Sequence, residues 1–287
     1  MPTETASFGA GKREGHDARR FYARRMLRPA PAGRLQPPVP PPAGALDRFI
    51  CRSSETMEEL PDDCVALMVT SPPYNVGKDY DADLSLEEYL GLLKRVLSET
   101  YRVLEPGGRV AVNVANLGRR PYLALNHRVA ALLEDLGFLL RGEIVWQKAQ
   151  GAGGSCAWGS WCSARNPTLR DIHEYVVVAS KGSYRRARLG EDTISREEFL
   201  EATLSVWSIA PASARRVCHP APFPVELPRR LIELYTFKGD LVLDPFIGSG
   251  TTAVAAVESG RHFIGYETEA AYLEIARARV AAAQGAL

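Results

Sequence analysis

The stretch LVLDPFIGSGTT, Leu241 to Thr252, decides the fold class. Its first residues form an apolar run of strand type, Gly248 and Gly250 permit a tight turn, and TTAVAAVESG continues with helical composition. A strand that passes through a glycine turn into a helix is the building unit of a parallel sheet, because parallel neighbours need a crossover connection. The glycines also let a ligand approach the backbone where helix amides are left free. Gly248-x-Gly250-x-x-Ala253 fits a dinucleotide fingerprint, a weak signal by itself, and no lysine follows as a phosphate-cradling loop would need. The next strand, HFIGYE, ends on Glu267, 17 residues after Gly250, close to the offset at which an acidic side chain holds the ribose of an adenosine ligand.

The same alternation runs outward through the chain. Strand candidates are RFIC, VALMVT, RVAVNVA, LRGEIVWQK, EYVVVAS, LVLDPF and HFIGYE. Between them SLEEYLGLLKRVLSETYRVL places Leu86, Leu90, Leu93, Leu97 and Tyr101 at helical steps and is predicted to stop at Pro106. YLALNHRVAALLEDLG stops likewise at Gly137, and PVELPRRLIELYT and TTAVAAVESG bracket the strand LVLDPF. The expectation is an α/β fold with a mostly parallel sheet and helices on both faces. Residues from about Ala149 to Ser213 are less periodic and carry GAGGSCAWGSW, the basic cluster YRRAR and the short acidic helix SREEFLEA, so loops and an insertion belong there. Residues 1–45 differ from the rest: eight basic residues stand against three acidic, and the segment closes on PAPAGRLQPPVPPPAG, the composition of a disordered, Pro-rich tail.

Composition excludes several classes. With 35 basic and 34 acidic residues the chain is no uniformly basic nucleic-acid coat, although a local basic face remains open. Five cysteines, none in C-x-x-C spacing, fit a reducing cytoplasm rather than a secreted disulfide scaffold. The absence of any long apolar run implies no membrane span. Scattered histidines imply no metal site; His173, beside Glu174 at a strand start, is either a pocket residue or a packed polar side chain.

A second corner closes the strand VALMVT: Thr70-Ser71-Pro72-Pro73-Tyr74. Two prolines remove two backbone donors and leave carbonyls unpaired. A serine hydroxyl and a carbonyl as acceptors, beside a tyrosine ring, suit a planar group that carries an amino function, as a nucleobase does. Both corners follow a strand's carboxyl end, where open α/β sheets bind ligands.

TSPPY, followed by HPAPFPVELPRRLI, LVLDPFIGSGTT and FIGYE, resembles the S-adenosylmethionine-dependent DNA amino-methyltransferases of the β group, in which the catalytic motif precedes the cofactor motif. The resemblance spans roughly Leu46 to Val280. It implies a Rossmann-like methyltransferase domain over 46–287, with a catalytic half at 46–148, a target-recognition insertion at about 149–213 and a cofactor half at 214–287. It implies that Ser71, Pro72, Pro73 and Tyr74 form the catalytic loop. S-adenosylmethionine is then held by Thr70, Asp244, Pro245, Phe246, Gly248, Ser249, Gly250, Thr251 and Glu267, with Phe223 and Pro224 closing over it. Ser53 stands where many relatives carry an aspartate toward the cofactor adenine, which makes it the weaker partner expected there.

The implied reaction is direct methyl transfer to the exocyclic N4 of a flipped cytosine in double-stranded DNA. Adenine N6 is the alternative; a serine at the first corner position goes more often with cytosine. No cysteine follows a proline, so the nucleophile of cytosine-C5 enzymes is absent. Arg165, Arg170, Lys181, Arg185, Arg186, Arg188, Arg215 and Arg216 are the expected phosphate and base contacts, with Trp158, Trp161 and Trp207 either stacking platforms or core. Double-stranded DNA is the expected partner, a cognate restriction endonuclease a further one, the site of action the bacterial cytoplasm and nucleoid, and the protein a monomer or homodimer. A protein glutamine methyltransferase, a nicotinamide oxidoreductase and a non-catalytic DNA-binding module remain as distant alternatives.

Overall fold

The computed structural model describes Arg24 and residues 37–74, 84–118, 121–148, 158–212 and 223–285. The chain divides into two units, Met1–Arg34 and Leu35–Leu287, and the described strands and helices all belong to the second. Its strands are β1 (Arg48–Cys51), β2 (Val65–Thr70), β3 (Leu104–Val114), β4 (Phe138–Lys148), β5 (His173–Lys181), β6 (Val206–Ile209), β7 (Leu241–Asp244) and β8 (His262–Glu267). Among the described residues its α-helices are α1 (Leu86–Val103), α2 (Leu125–Asp135), α3 (Arg196–Ala202), α4 (Glu226–Tyr235), α5 (Thr251–Glu258) and α6 (Ala270–Gln284).

The strands form one sheet in the order β1-β8-β7-β2-β3-β5-β4-β6. Only the pairings of β5, with β3 and with β4, are antiparallel; the rest are parallel, so every other strand ends at the same edge of the sheet, where β5 begins. All six residues of β2 are buried, as expected of a central strand covered on both faces. On one face Met68, Val110 and Val112 pack with Leu93 and Leu97 of α1 and Val129 of α2. On the other, Leu67, Val69, Val242 and Phe263 pack with Leu227 and Leu231 of α4, Ala253 of α5 and Leu273 of α6. The mostly parallel α/β sheet with helices on both faces is therefore present.

Local chemistry sets the helix starts. Ser85 Oγ accepts from Glu88 N while Glu88 Oε2 accepts from Ser85 N, and Ser195 with Glu198 repeats the reciprocal cap at α3. Helix α1 ends at Val103 rather than Pro106, because Leu104 already pairs with Val65 and belongs to β3. Strand β6 and helix α6 had no counterpart among the elements read from sequence. β6 is four residues long, and in α6 the buried Leu273, Ala276 and Val280 are spaced helically but masked by alanine on every side.

The edge where the parallel strands begin corrects part of the expected DNA-contact set. Lys181 ends β5 there, paired with Asp63 at 2.6 Å and donating to the Arg102 carbonyl. Arg186 is buried between Glu105 and Asp240, 2.7 Å from the latter, and Arg188 approaches Asp240 at 3.5 Å. The Arg185 backbone lies against Gly107 near the start of β3, at that same edge. Lys181, Arg185 and Arg186 are thus placed away from both corners, and Lys181 and Arg186 neutralise carboxylates within the fold. Trp207 is core as well, 1% exposed.

Removing one partner of a buried ion pair leaves an uncompensated charge. Arg186→Ala is expected to lower the unfolding free energy by about 3–5 kcal/mol in urea titration. Arg185→Ala, at an exposed position, is expected to stay within about 0.5 kcal/mol of the unaltered protein. Equal effects would contradict the assignment of Arg186 to the interior.

Candidate active site

The adjacency of β2 and β7 brings the two corners together. Leu67 pairs with Val242 and Met68 with Leu243, so the strands end side by side although Thr70 and Asp244 are 174 residues apart. Thr70 Oγ1 donates to Asp244 Oδ1 at 2.6 Å, the Phe246 amide donates to the same oxygen at 3.0 Å, and Thr252 Oγ1 donates to Oδ2 at 2.6 Å. Asp244 is 1% exposed. Burial pushes its carboxyl up to about 6, with Glu267 adding to the rise and the three donors opposing it.

From this knot the chain turns through positive φ at Gly248 (48°) and Gly250 (81°). A Cβ at Gly250 would fall 2.7 Å from that of Ala276, so glycine is required there by conformation and by space. The Ile247 amide donates to the Tyr266 carbonyl, and Arg279 of α6 donates to Ser249 O at 2.6 Å and to the Ser249 and Thr251 hydroxyls, pinning the bend from outside. Arg279 was not singled out in the sequence. Glu267 accepts from the amides of Gly248, Thr268 and Glu269 at 3.0, 2.9 and 3.0 Å. The Thr268 hydroxyl adds a fourth donor to Oε1 at 3.4 Å, whereas among the described residues Oε2 receives the Gly248 amide alone and keeps a lone pair for a ligand hydroxyl.

A cleft of about 270 Å³ opens beside this bend. Ser71, Pro72, Pro73 and Tyr74 form one wall; Pro245, Phe246, Gly248, Ser249, Thr251 and Glu267 form another; Phe223, Tyr266 and Tyr272 add aromatic surface. Ser53 also lines it, its hydroxyl donating to Glu55 Oε2 and accepting from the Glu55 amide, while Ser54 Oγ ties this loop to the Pro245 carbonyl at 2.8 Å. Four expected site residues do not line the cleft. Thr70 and Asp244 are buried behind it, Gly250 caps α5, and the Pro224 carbonyl accepts from the Leu227 amide at the start of α4.

Beneath the double-proline corner lies a polar network that sequence reading missed. Ser71 Oγ is 3.1 Å from the Tyr74 hydroxyl, which donates to Glu174 Oε2 at 3.1 Å. Asn113 Nδ2 reaches Glu174 Oε2 at 2.7 Å, and Lys148 Nζ lies 2.7 Å from Glu174 Oε1. Desolvation, with Glu174 beside it, holds the Tyr74 phenol well above its ordinary value, although the residue as a whole is half-buried and lines the cleft. His173, which sequence reading had singled out, pairs instead with Tyr175 at 2.8 Å.

A family model described as a DNA methylase matches residues 65–278. The chain belongs to this DNA methylase family. It is 32% identical over 270 residues to the type II methyltransferase M.MthZI of Methanothermobacter thermautotrophicus, covering 81% of this chain and 76% of that one. Among solved structures, the Thermus thermophilus protein TTHA0409 complexed with S-adenosyl-L-methionine superposes with a TM-score of 0.68 at 28% identity, over 83% of this chain and 96% of that one. The PvuII cytosine-N4-specific DNA methyltransferase shares the fold at 21% identity, with a TM-score of 0.65 over 80% of this chain and 85% of that one.

In this DNA methylase residues 158–172, which lead into β5 at the cleft edge of the sheet, carry exposed Arg165 and Arg170. Trp161, 67% exposed, packs against Trp158 with ring centroids 4.5 Å apart and planes tilted by 46°, and Arg170 covers the Trp158 ring at 5.3 Å. Arg215, Arg216 and His219 lie outside the described residues. Among the described residues no helix is long and apolar enough to cross a membrane.

The raised Asp244 pKa has a definite sign. The folded protein holds a proton that the unfolded chain, with its ordinary value of 3.8, releases. The stability this proton confers is fully present below about pH 4 and is lost as pH rises through about 6. Measured against Asp244→Asn by urea unfolding, the difference in stability should fall by about 3 kcal/mol between about pH 4 and about pH 7. A difference independent of pH would contradict the burial of this carboxyl.

Proposed function

We propose that the protein methylates the exocyclic N4 of a cytosine extruded from double-stranded DNA. S-adenosylmethionine is the methyl donor, and the cleft suits it: aromatic rings flank the glycine bend, and Glu267 Oε2 retains an acceptor position for a ribose hydroxyl. When bound, that cofactor supplies an electrophilic methyl group on a sulfonium. Phe223, Phe246, Gly248 and Glu267 are the residues that would hold it, with Ser53 toward the adenine.

The observation that carries this reading is that Ser71 to Tyr74 and Phe246 to Gly248 face one another across a single cleft. An exocyclic base amine is a poor nucleophile because its lone pair is delocalised into the ring. The Ser71 oxygen and the Pro72 carbonyl accept its hydrogens and return electron density to nitrogen, while the Tyr74 ring stacks on the base. Holding the amine and methyl in a near-attack arrangement contributes on the order of 7–11 kcal/mol to lowering the barrier. Base extrusion costs a few kcal/mol, which stacking and base-edge hydrogen bonds offset.

Cytosine is favoured over adenine because Ser71, not an aspartate, opens the corner. Adenine N6 presents the same delocalised amine and is the second reading. Arg165 and Arg170, at the cleft edge, are assigned to the DNA, as is the Trp161 platform. A restriction endonuclease that cuts the same site is the partner expected of a type II methyltransferase.

Incubation with tritiated S-adenosylmethionine and unmethylated DNA, followed by mass spectrometry of the nucleosides, should yield N4-methylcytosine. N6-methyladenine would overturn the base assignment, and label in protein alone would overturn DNA as substrate. Ser71→Ala should lower kcat by about 100-fold or more while cofactor affinity in calorimetry changes by less than about threefold.

A further inference from the structure

The hydrogen bonds beneath the catalytic corner have one consistent direction. Lys148 and Glu174 form an ion pair at 2.7 Å, so Glu174 accepts and cannot donate. Its Oε2 takes one hydrogen from Asn113 Nδ2 at 2.7 Å, which fixes the orientation of that amide. The same oxygen takes the only hydrogen of the Tyr74 hydroxyl at 3.1 Å. With its proton committed, the tyrosine oxygen is an acceptor toward Ser71, 3.1 Å away, and the serine must donate in that contact. The second Asn113 hydrogen reinforces this, lying toward the Tyr74 oxygen at 3.2 Å and Ser71 Oγ at 3.4 Å. Ser71 therefore has no hydrogen left for the cleft. It presents a lone pair there.

We propose that Glu174, held by Lys148 and acting through Tyr74, is a positioning residue that turns the Ser71 proton away from the cleft, so that Ser71 Oγ meets the substrate amine only as an acceptor. This rests on the reading of Ser71 as the acceptor for an amino group. A serine hydroxyl free to rotate would donate to the incoming nitrogen part of the time, occupying the lone pair that has to attack. The network sets a fixed dipole before the base arrives and costs no reorganisation during transfer. Tyr74 thereby has two separate duties: its ring faces the base, and its hydroxyl transmits the orientation set by Glu174. No proton moves and no bond is made by Glu174 itself.

Glu174→Gln and Tyr74→Phe separate the two duties, since the first places an amide donor in the network and the second keeps the ring while removing the hydroxyl. Each should lower kcat roughly 10- to 100-fold with cofactor affinity and DNA KM changed less than about threefold. The double variant should be no slower than the slower single one, because both act through the same Ser71 oxygen. Likewise Tyr74→Phe should cost nothing further in the Ser71→Ala background. That second cycle decides the matter where Glu174→Gln fails to fold. Additive losses in either cycle, or single variants of unaltered rate, would overturn the inference while leaving methyl transfer intact. Failure of the unaltered protein to methylate any DNA would instead remove the underlying reading, and this inference with it.

Discussion

Three hydrogen bonds to one buried carboxylate hold the site together. Asp244 ends β7, receives Thr70 from the end of β2, and receives Phe246 and Thr252 from the two ends of its own bend. Without these donors a buried carboxylate would be strongly unfavourable, and without the carboxylate two hydroxyls and an amide would be buried unpaired. The arrangement therefore locks a double-proline elbow and a glycine bend into one geometry. Each corner alone is a common turn. Their fixed separation makes a cleft in which a planar amine and a methyl donor can meet.

The two edges of the sheet have divided duties. Where the parallel strands begin, charges are paired and largely buried: Arg186 with Glu105 and Asp240, Lys181 with Asp63. Where they end, prolines, Gly248 and aromatic side chains line a cleft. The antiparallel strand β5 spans both, with Glu174 near its start under the double-proline corner and Lys181 at its end in the opposite ion-pair cluster. A single strand thus pairs charges at one end and, in the mechanism we propose, orients the acceptor at the other.

Much of this was legible in the sequence because its signals are local. Seven strands could be read from apolar runs, and both corners from proline and glycine, whose backbone constraints do not depend on tertiary context. Glu174, Asn113 and Lys148 were illegible as a site, since nothing in a strand sequence tells which polar residue will face a partner on a neighbouring strand. The basic cluster near Arg186 misled for a related reason. Charge density along the chain does not reveal that Glu105 and Asp240, distant in sequence, wait at the same place. The antiparallel direction of β5 is a matter of topology, and the long connection that precedes it gives no length constraint from which direction follows.

In the proposed function one cleft serves both the methyl donor and the base. A crystal structure of the protein with S-adenosylmethionine tests it most directly. The adenosine is expected along Phe246, Tyr266 and Glu267, with the methyl group directed toward the corner formed by Ser71, Pro72 and Tyr74. A cofactor bound with its methyl turned away from that corner, or seated outside the cleft, would contradict it.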